Sequence, residues 1–403
     1  IILYDIAVHL VAPFSRKPRK MMKGHWVVYE LLRQQLEKDA CYIWFHAASL
    51  GEFEQGRPLI EKIRAKYPDY RILLTFFSPS GYEVRKNYRG ADIVCYLPFD
   101  KPRNVRKFLD LVNPCMAFFI KYEFWKNYLD ELHKRRIPVY SVSSIFRRGQ
   151  IFFKWYGGIY RKSLKTFTHF MVLNKQSEAN LRSLGFSNIT VTGDPLFDNA
   201  IAVAATPWSN SIIKNFARQG DLFIAGSISD KKDMELISTL ANNHRDTHFI
   251  IVPHEISEEV LNEIKFNLDG YALCYSECNE STDFSDTQAL IIDYLGDLAY
   301  LYRYGKWAYV GGGFTPYLHS IIEATVYGLP VAFGPLIHRK VTPNELIELN
   351  IGSVIRSSRE LEGWFATLKK NQTGLETIRK TAQEYTRQNS GATSHIVQLL
   401  LQV

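Results

Sequence analysis

The sequence predicts an α/β protein of two successive Rossmann-like, doubly wound domains facing a cleft. Three observations predict it. Short β-rich runs alternate with helical patterns through the first half, the signature of a mostly parallel sheet covered on both faces. The alternation stops near Gly193-Asp194-Pro195 and restarts after residue 220. A chain of 403 residues also exceeds what one hydrophobic core usually organises.

Residues 1–14 are mostly apolar, with Leu3, Ile6, Ala7, Leu10 and Phe14 at helical spacing and Asp5 and His9 on the other side. Arg16-Lys17-Pro18-Arg19-Lys20 and Lys23 follow. A membrane-spanning helix needs about 20 predominantly apolar residues, so residues 1–24 read as a membrane-interfacial helix and basic segment. The same spacing also fits a helix packed on the domain. A cleavable signal peptide is not expected, because the charges follow the apolar stretch.

The first domain is expected over 25–198, with strands at 42–45, 72–76, 93–97, 116–120, 139–142, 170–173 and 190–192. Helical patterns lie between them at 58–66, 105–111, 129–136 and 177–184. Residues 199–220 hold no strand pattern and include Pro207, and read as a linker. The second domain, 221–381, has strand patterns at 222–225, 249–252, 272–275, 290–292, 307–310 and 331–333.

Net charge is +8, which favours an anionic partner such as an anionic membrane surface or a phosphorylated substrate. No zinc-finger spacing, RNP-type aromatic signature or basic zipper is present, so no nucleic-acid partner is expected. The 25 Phe, 23 Tyr and 7 Trp suit sugar faces and membrane interfaces, although most fill cores. Five scattered cysteines fit a reducing compartment, and Cys274-x-x-x-Cys278 lacks a second ligand pair for zinc. No cofactor is expected.

Two glutamates stand just past strand patterns: Glu52 after Trp44-Phe45-His46-Ala47-Ala48-Ser49-Leu50-Gly51, and Glu123 after Phe118-Phe119-Ile120-Lys121-Tyr122. In an open α/β sheet ligands bind beyond the carboxyl ends of the strands. A carboxylate buried there has its pKa raised toward that of a general base. In the second half, Ala225-Gly226-Ser227 and Val252-Pro253-His254-Glu255 end two strands. Val310-Gly311-Gly312-Gly313-Phe314 leads to His319-Ser320-Ile321-Ile322-Glu323 and then Gly328-Leu329-Pro330. Glycines allow close backbone approach, and a helix starting near His319 or Ser320 would offer free N–H groups to a phosphate, with Glu323 in its first turn near ribose hydroxyls. A tight strand-to-helix turn with a capping serine explains the same glycines.

His46-Ala47-Ala48-Ser49-x-Gly51-Glu52 followed by Glu123-x-Trp125-x-Asn127 resembles the 3-deoxy-D-manno-octulosonic acid (Kdo) transferases. Leu97-Pro98-Phe99-Asp100, Ser141 to Phe146, Val191 to Asp198 and Gly296-Asp297-Leu298 extend the resemblance from about residue 2 past 335. It departs at Lys121, where many members have glutamate, at His254-Glu255, where many have Arg-His, and at Ser320-Ile321-Ile322, where many have Asn-Pro-Leu.

The resemblance implies a GT-B glycosyltransferase at the cytoplasmic face of the bacterial inner membrane. It would transfer Kdo with inversion from a CMP-Kdo donor to a lipid A precursor acceptor, in lipopolysaccharide biosynthesis. Glu52 and Glu123 are its expected catalytic residues, Glu52 as base. Gly226, Ser227, His254, Gly311, Gly312, Gly313, His319, Ser320 and Glu323 would bind the donor. Ser49, Gly51, Arg57, Arg147 and Arg148 would bind the acceptor, with Lys154 a further phosphate contact. Residues 382–403 would form a C-terminal helix crossing back to the first domain. The alternatives are another GT-B nucleotide-sugar enzyme, either a lipid glycosyltransferase or an epimerase, and a non-catalytic membrane-peripheral nucleotide-binding protein.

Overall fold

The computed structural model describes residues 16–337 and 340–401, so the expected interfacial helix at 1–14 lies outside the described residues. The chain divides into two compact units, one of residues up to Asn199 together with those from Asn389 onward, the other Ala200–Gln388.

In the first unit the strands are β1 (Tyr42–Ala47), β2 (Arg71–Phe76), β3 (Ile93–Tyr96), β4 (Met116–Ile120), β5 (Val139–Ser144), β6 (His169–Val172) and β7 (Ile189–Val191). They pair in parallel in the order β3-β2-β1-β4-β5-β6-β7. The strands are near-continuous apolar runs because helices bury both faces. Side chains alternate accordingly: Trp44 and Phe119 enter the core on one face, Phe45 and Phe118 the core on the other. The chain winds outward from β1 in one direction and from β4 in the other. That reversal leaves the gap between the carboxyl ends of β1 and β4 uncovered by a crossover.

The second unit repeats the plan with β8 (Leu222–Ile228), β9 (His248–Pro253), β10 (Tyr271–Cys274), β11 (Thr287–Ile291), β12 (Gly305–Val310), β13 (Val331–Phe333) and β14 (Gly352–Val354). Their order is β10-β11-β9-β8-β12-β13-β14, again all parallel, so the reversal falls between β8 and β12. The last strand, three residues of Gly-Ser-Val, is too short to carry a period in the sequence.

Several boundaries differ from expectation. The basic run is not a separate segment ending at 24; it opens the helix Arg16–Gln35, which continues to Val28 and Leu32 in the core. Pro18 is tolerated there because the first N–H groups of a helix have no intrahelical acceptor. The helix expected to start at Pro58 begins at Leu50 and runs through it. The expected linker is mostly helical, with Pro195–Ala205 and Ser211–Ala217.

The expected single helix over 382–403 is, as far as residue 401, the end of one helix and the whole of another. The helix Gln372–Gln388 ends, Gly391 turns with φ 96°, and Ala392–Leu400 follows. Ile396 and Val397 of this last helix lie in the core of the first unit, against the helix Leu50–Lys66. Asp198 fastens its start by accepting the N–H groups of Gly391 at 2.6 Å and Thr393 at 2.7 Å. Among the described residues no helix is long and apolar enough to cross a membrane.

Candidate active site

At the β1/β4 reversal the chain leaves Ala47 and turns at Ser49 into the helix Leu50–Lys66. Glu52 is the third residue of that helix. Its Oε2 reaches back to accept the N–H of Ala48 at 2.7 Å and of Ser49 at 3.1 Å, satisfying donors that the helix start leaves free. Both bonds fall on the same oxygen. Oε1 keeps its lone pairs for another partner.

Across the gap, β4 ends at Ile120 and the chain passes through Lys121, whose φ is 67°. Left-handed backbone at a lysine is strained and persists where the surroundings impose it. The turn delivers Glu123, only 8% exposed, to the His46 side chain. His46 Nε2 is 3.1 Å from Glu123 Oε2, and the Trp125 indole N–H donates to the same oxygen at 2.5 Å. His46 Nδ1 lies 2.9 Å from the Thr75 hydroxyl, which also accepts the Trp44 indole N–H at 2.8 Å. Trp44 donates to Thr75 and Trp125 to Glu123 in either tautomer of His46; with the proton on Nε2, His46 also donates to Glu123 while Nδ1 accepts from Thr75. Glu123 is thereby fixed as a buried acceptor.

That carboxylate acts on its neighbour. Glu52 is pushed up from 4.5 to about 7, first by burial and then by the charge of Glu123. Lys121 and the two backbone N–H bonds oppose the rise. A carboxyl group titrating near neutrality, with one oxygen unshared, is equipped to take a proton from a hydroxyl.

Further groups on this edge went unnoticed as site candidates in the sequence. Asp194, after β7, is buried and raised by that burial; its oxygens accept from Gln55 Nε2 at 3.2 Å and from the Leu196 N–H at 3.0 Å. The hydroxyls of Ser143 and Ser144 at the end of β5, and of Thr192 after β7, are buried without a hydrogen-bond partner within the chain. The signals were the Ser-Ser pair and Gly-Asp-Pro at predicted strand ends.

The expected acceptor contacts divide. Ser49 caps the helix, and Gly51 is exposed with open space where a Cβ would stand, so packing does not require a glycine there. Arg57 is engaged with Asn199 and, at 3.2 Å, with Glu54, which also pairs with Arg85, so its guanidinium serves the fold rather than standing free. Arg147 lies over the Tyr122 ring at 5.7 Å. Arg148 and Lys154 are exposed.

The second unit is built differently at its β8/β12 reversal. Gly226 abuts the Tyr302 hydroxyl, and Ser227 takes a left-handed φ of 54°. The N–H of Gly311 donates to the Gly226 carbonyl at 2.9 Å, and that of Gly312 to Asp233 Oδ2 at 2.8 Å. Gly312 has φ 84°, and a Cβ on Gly313 would meet the Gly334 backbone at 2.5 Å. Local geometry therefore accounts for all three glycines, and two of their N–H groups are already used. The helix expected from His319 or Ser320 is one turn, Ile322–Thr325, so its dipole is small and Ser320 is not its cap. Glu323 does fall in its first turn. The rings of His254 and His319 lie 4.3 Å apart. His319 is pushed down to about 4, chiefly by burial and then by His254 and Lys340, so it is neutral at physiological pH. Among the described residues no group of three His, Cys, Asp or Glu side chains is placed to hold a metal ion.

Residues 23–199 match the family described as 3-deoxy-D-manno-octulosonic-acid transferase (kdotransferase). The 3-deoxy-D-manno-octulosonic acid transferase of Aquifex aeolicus is 25% identical over 346 residues, covering 83% of this chain and 89% of that protein. The enzyme of the same name from Haemophilus influenzae is 23% identical over 387 residues, covering 89% and 86%. Among solved structures, UDP-GlcNAc 2-epimerase from Neisseria meningitidis, bound to UDP-GlcNAc, aligns with a TM-score of 0.64 at 14% identity, over 90% of this chain and 100% of that one. At that identity the likeness shows fold alone: two parallel-sheet α/β units of the GT-B class.

Proposed function

We propose that the chain is a glycosyltransferase of the Kdo transferase type, in keeping with the family match over 23–199 and with its relatives, and that it transfers Kdo from CMP-Kdo to a hydroxyl of a lipid A precursor, with Glu52 as the general base. The observation that carries the assignment is the state of Glu52, which lies within the family-matched segment, is raised to about 7, and has one carboxylate oxygen unshared. Oε1 takes the proton of the acceptor hydroxyl as its oxygen bonds to the anomeric carbon of Kdo. The bond from that carbon to the CMP phosphate breaks, and CMP leaves with the electron pair. Attack opposite the leaving group inverts the configuration.

Glu123 does not need to touch the substrate in this scheme. Held by His46 and Trp125, it supplies the fixed charge that keeps Glu52 basic. Gly51 gives the acceptor an unobstructed approach to the helix start, beside Ser49. The exposed Arg148 is the acceptor-phosphate contact of this reading, with Arg147 next to it in the chain, while Arg57 serves Asn199 and Glu54.

In the second unit the donor is held mainly by side chains. The neutral His319 and the adjacent His254 offer hydrogen bonds to the CMP phosphate or the Kdo carboxylate, with Ser227 and Ser320 alongside. Glu323 takes the ribose hydroxyls. The charge of the chain suits a phosphorylated lipid acceptor at the anionic cytoplasmic face of the inner membrane. Purified protein given CMP-Kdo and a lipid A precursor should produce a lipid heavier by one or more Kdo units in the mass spectrum. An unchanged lipid with both substrates intact would overturn the assignment.

A further inference from the structure

Downstream of β5 the chain presents an aromatic surface that the proposed transfer does not use. Trp155 is 90% exposed, Ile159 62%, Tyr156 58% and Tyr160 44%. Single exposed apolar residues are ordinary, but four within six positions form a patch. The segment is also firmly built. Phe152 is buried against Phe124 and Phe146, and the Arg161 guanidinium donates to the carbonyls of Phe152 at 3.0 Å and Lys154 at 2.8 Å. Gly157 closes the turn, its N–H donating to Lys154 O at 2.9 Å, where a Cβ would meet the Ile151 carbonyl. The fold pays for an ordered loop whose largest rings point into solvent.

Charge identifies what those rings meet. Between Glu131 and Glu178 the sequence has ten lysines and arginines and no aspartate or glutamate. Lys154, Lys162 and Lys165 are exposed around the patch. Tryptophan and tyrosine beside lysine is the composition that settles at a bilayer interface, rings at headgroup depth and cations on the anionic surface. A protein partner would have to be strongly acidic around an apolar centre, whereas an anionic bilayer supplies both features.

We propose that the segment 151–165 is a membrane-docking surface, inserting Trp155, Tyr156, Ile159 and Tyr160 into the headgroup region of an anionic bilayer. It rests on the reading of a lipid-borne acceptor and is separate from residues 1–14, so the chain would touch the bilayer from the body of its first unit.

The test is co-sedimentation of the full chain with phosphatidylglycerol–phosphatidylcholine vesicles, at low and high salt. The double variant Trp155→Ser, Tyr156→Ser should bind these vesicles roughly tenfold or more weakly, since it removes most of the buried ring area. Lys154→Glu with Lys162→Glu should weaken binding and flatten its salt dependence. Both variants should keep the unmodified circular dichroism and melting temperature, because the replaced side chains are exposed. Vesicle binding by the aromatic variant equal to that of the unmodified chain would overturn the proposal. So would self-association of the lipid-free chain that the aromatic substitutions abolish, since the patch would then be a protein contact. The assay contains neither donor nor acceptor, so its result stands apart from the transferase assignment: loss of binding in a chain without transferase activity would still support the surface.

Discussion

The two units place a carboxylate at the same point and use it in opposite ways. Glu52 is the third residue of the helix after β1, and Asp233 is the third residue of the helix Lys231–Asn243 after β8. Each sits at its sheet's reversal. Asp233 is saturated: Oδ1 accepts the Tyr309 hydroxyl at 2.6 Å, and Oδ2 accepts the N–H groups of Ser229 and Gly312 at 3.2 and 2.8 Å. Its partners come partly from the neighbouring strand β12 and the glycine turn after it, so the carboxylate clamps the reversal shut. Glu52 receives only the two N–H groups of its own turn, and what faces it across the gap is the like charge of Glu123. One carboxylate is spent on architecture. The other is left with one oxygen unshared and a pKa raised to about 7, the state the proposed general base requires.

The largest effect should separate the two at once. Glu52→Gln keeps an oxygen for the Ala48 and Ser49 N–H groups, so the fold and CMP binding should persist while turnover falls roughly 10²–10⁴-fold. Steady-state rates and titration calorimetry on one preparation measure both. Near-normal turnover would remove Glu52 from the chemistry and make it a helix cap like any other. The unmodified enzyme should also show kcat/KM rising with pH through about 7 as Glu52 ionises.

Asp233→Ala should do the reverse. It strips an acceptor from several buried donors, for a loss on the order of 3–5 kcal/mol of stability. Thermal unfolding should show this as a lowered second-unit transition, with Glu52 chemistry intact wherever that unit stays folded. A melting curve unchanged from the parent would break the comparison.

A smaller effect follows from linkage. The folded-state pKa of Glu52 lies above its ordinary value, so the folded chain holds a proton that the unfolded chain releases between pH 4.5 and about 7. Below 4.5 the group is protonated in both states and exerts no cost; above about 7 the full cost of the buried charge stands. Glu52→Gln should therefore stabilise the chain by on the order of 2–3 kcal/mol at pH 8 and by almost nothing at pH 4.5. Equal stabilities of parent and variant at both pH values would mean that the carboxylate is not held in a hostile site.

The smallest prediction concerns Gly51. Nothing lies within 4 Å of a Cβ built there, so Gly51→Ala should gain up to about 1 kcal/mol of helix stability. Lower turnover despite that gain would place a ligand against the helix start; unchanged turnover would clear Gly51 of a role in acceptor approach.

The sequence by itself determined the two-unit α/β plan, thirteen of the strands to within a few residues, and the pairing of Glu52 with Glu123 as residues of interest. Strands buried on both faces must be written as apolar runs, and residues just past them fall on the carboxyl edge whatever the details of packing. Short or composite elements were not legible: Gly352–Val354 has no room for a period, and Pro58 marks a helix start by propensity although the helix Leu50–Lys66 runs through it.

Only the tertiary structure decided what each edge group is free to do. Hydrogen bonds from distant strands are invisible in local sequence. Glycines 311–313 read as a phosphate cradle until Asp233 and Gly334 occupied their N–H and Cα sides. Arg57 read as a phosphate ligand until Asn199 and Glu54 took its guanidinium. Glu52 read as the expected base from its place past a strand, but the burial and the second buried carboxylate that raise it to about 7 come only with β1–β4 pairing. A motif fixes residue type and spacing, whereas desolvation and partner count, which set reactivity, depend on the rest of the fold.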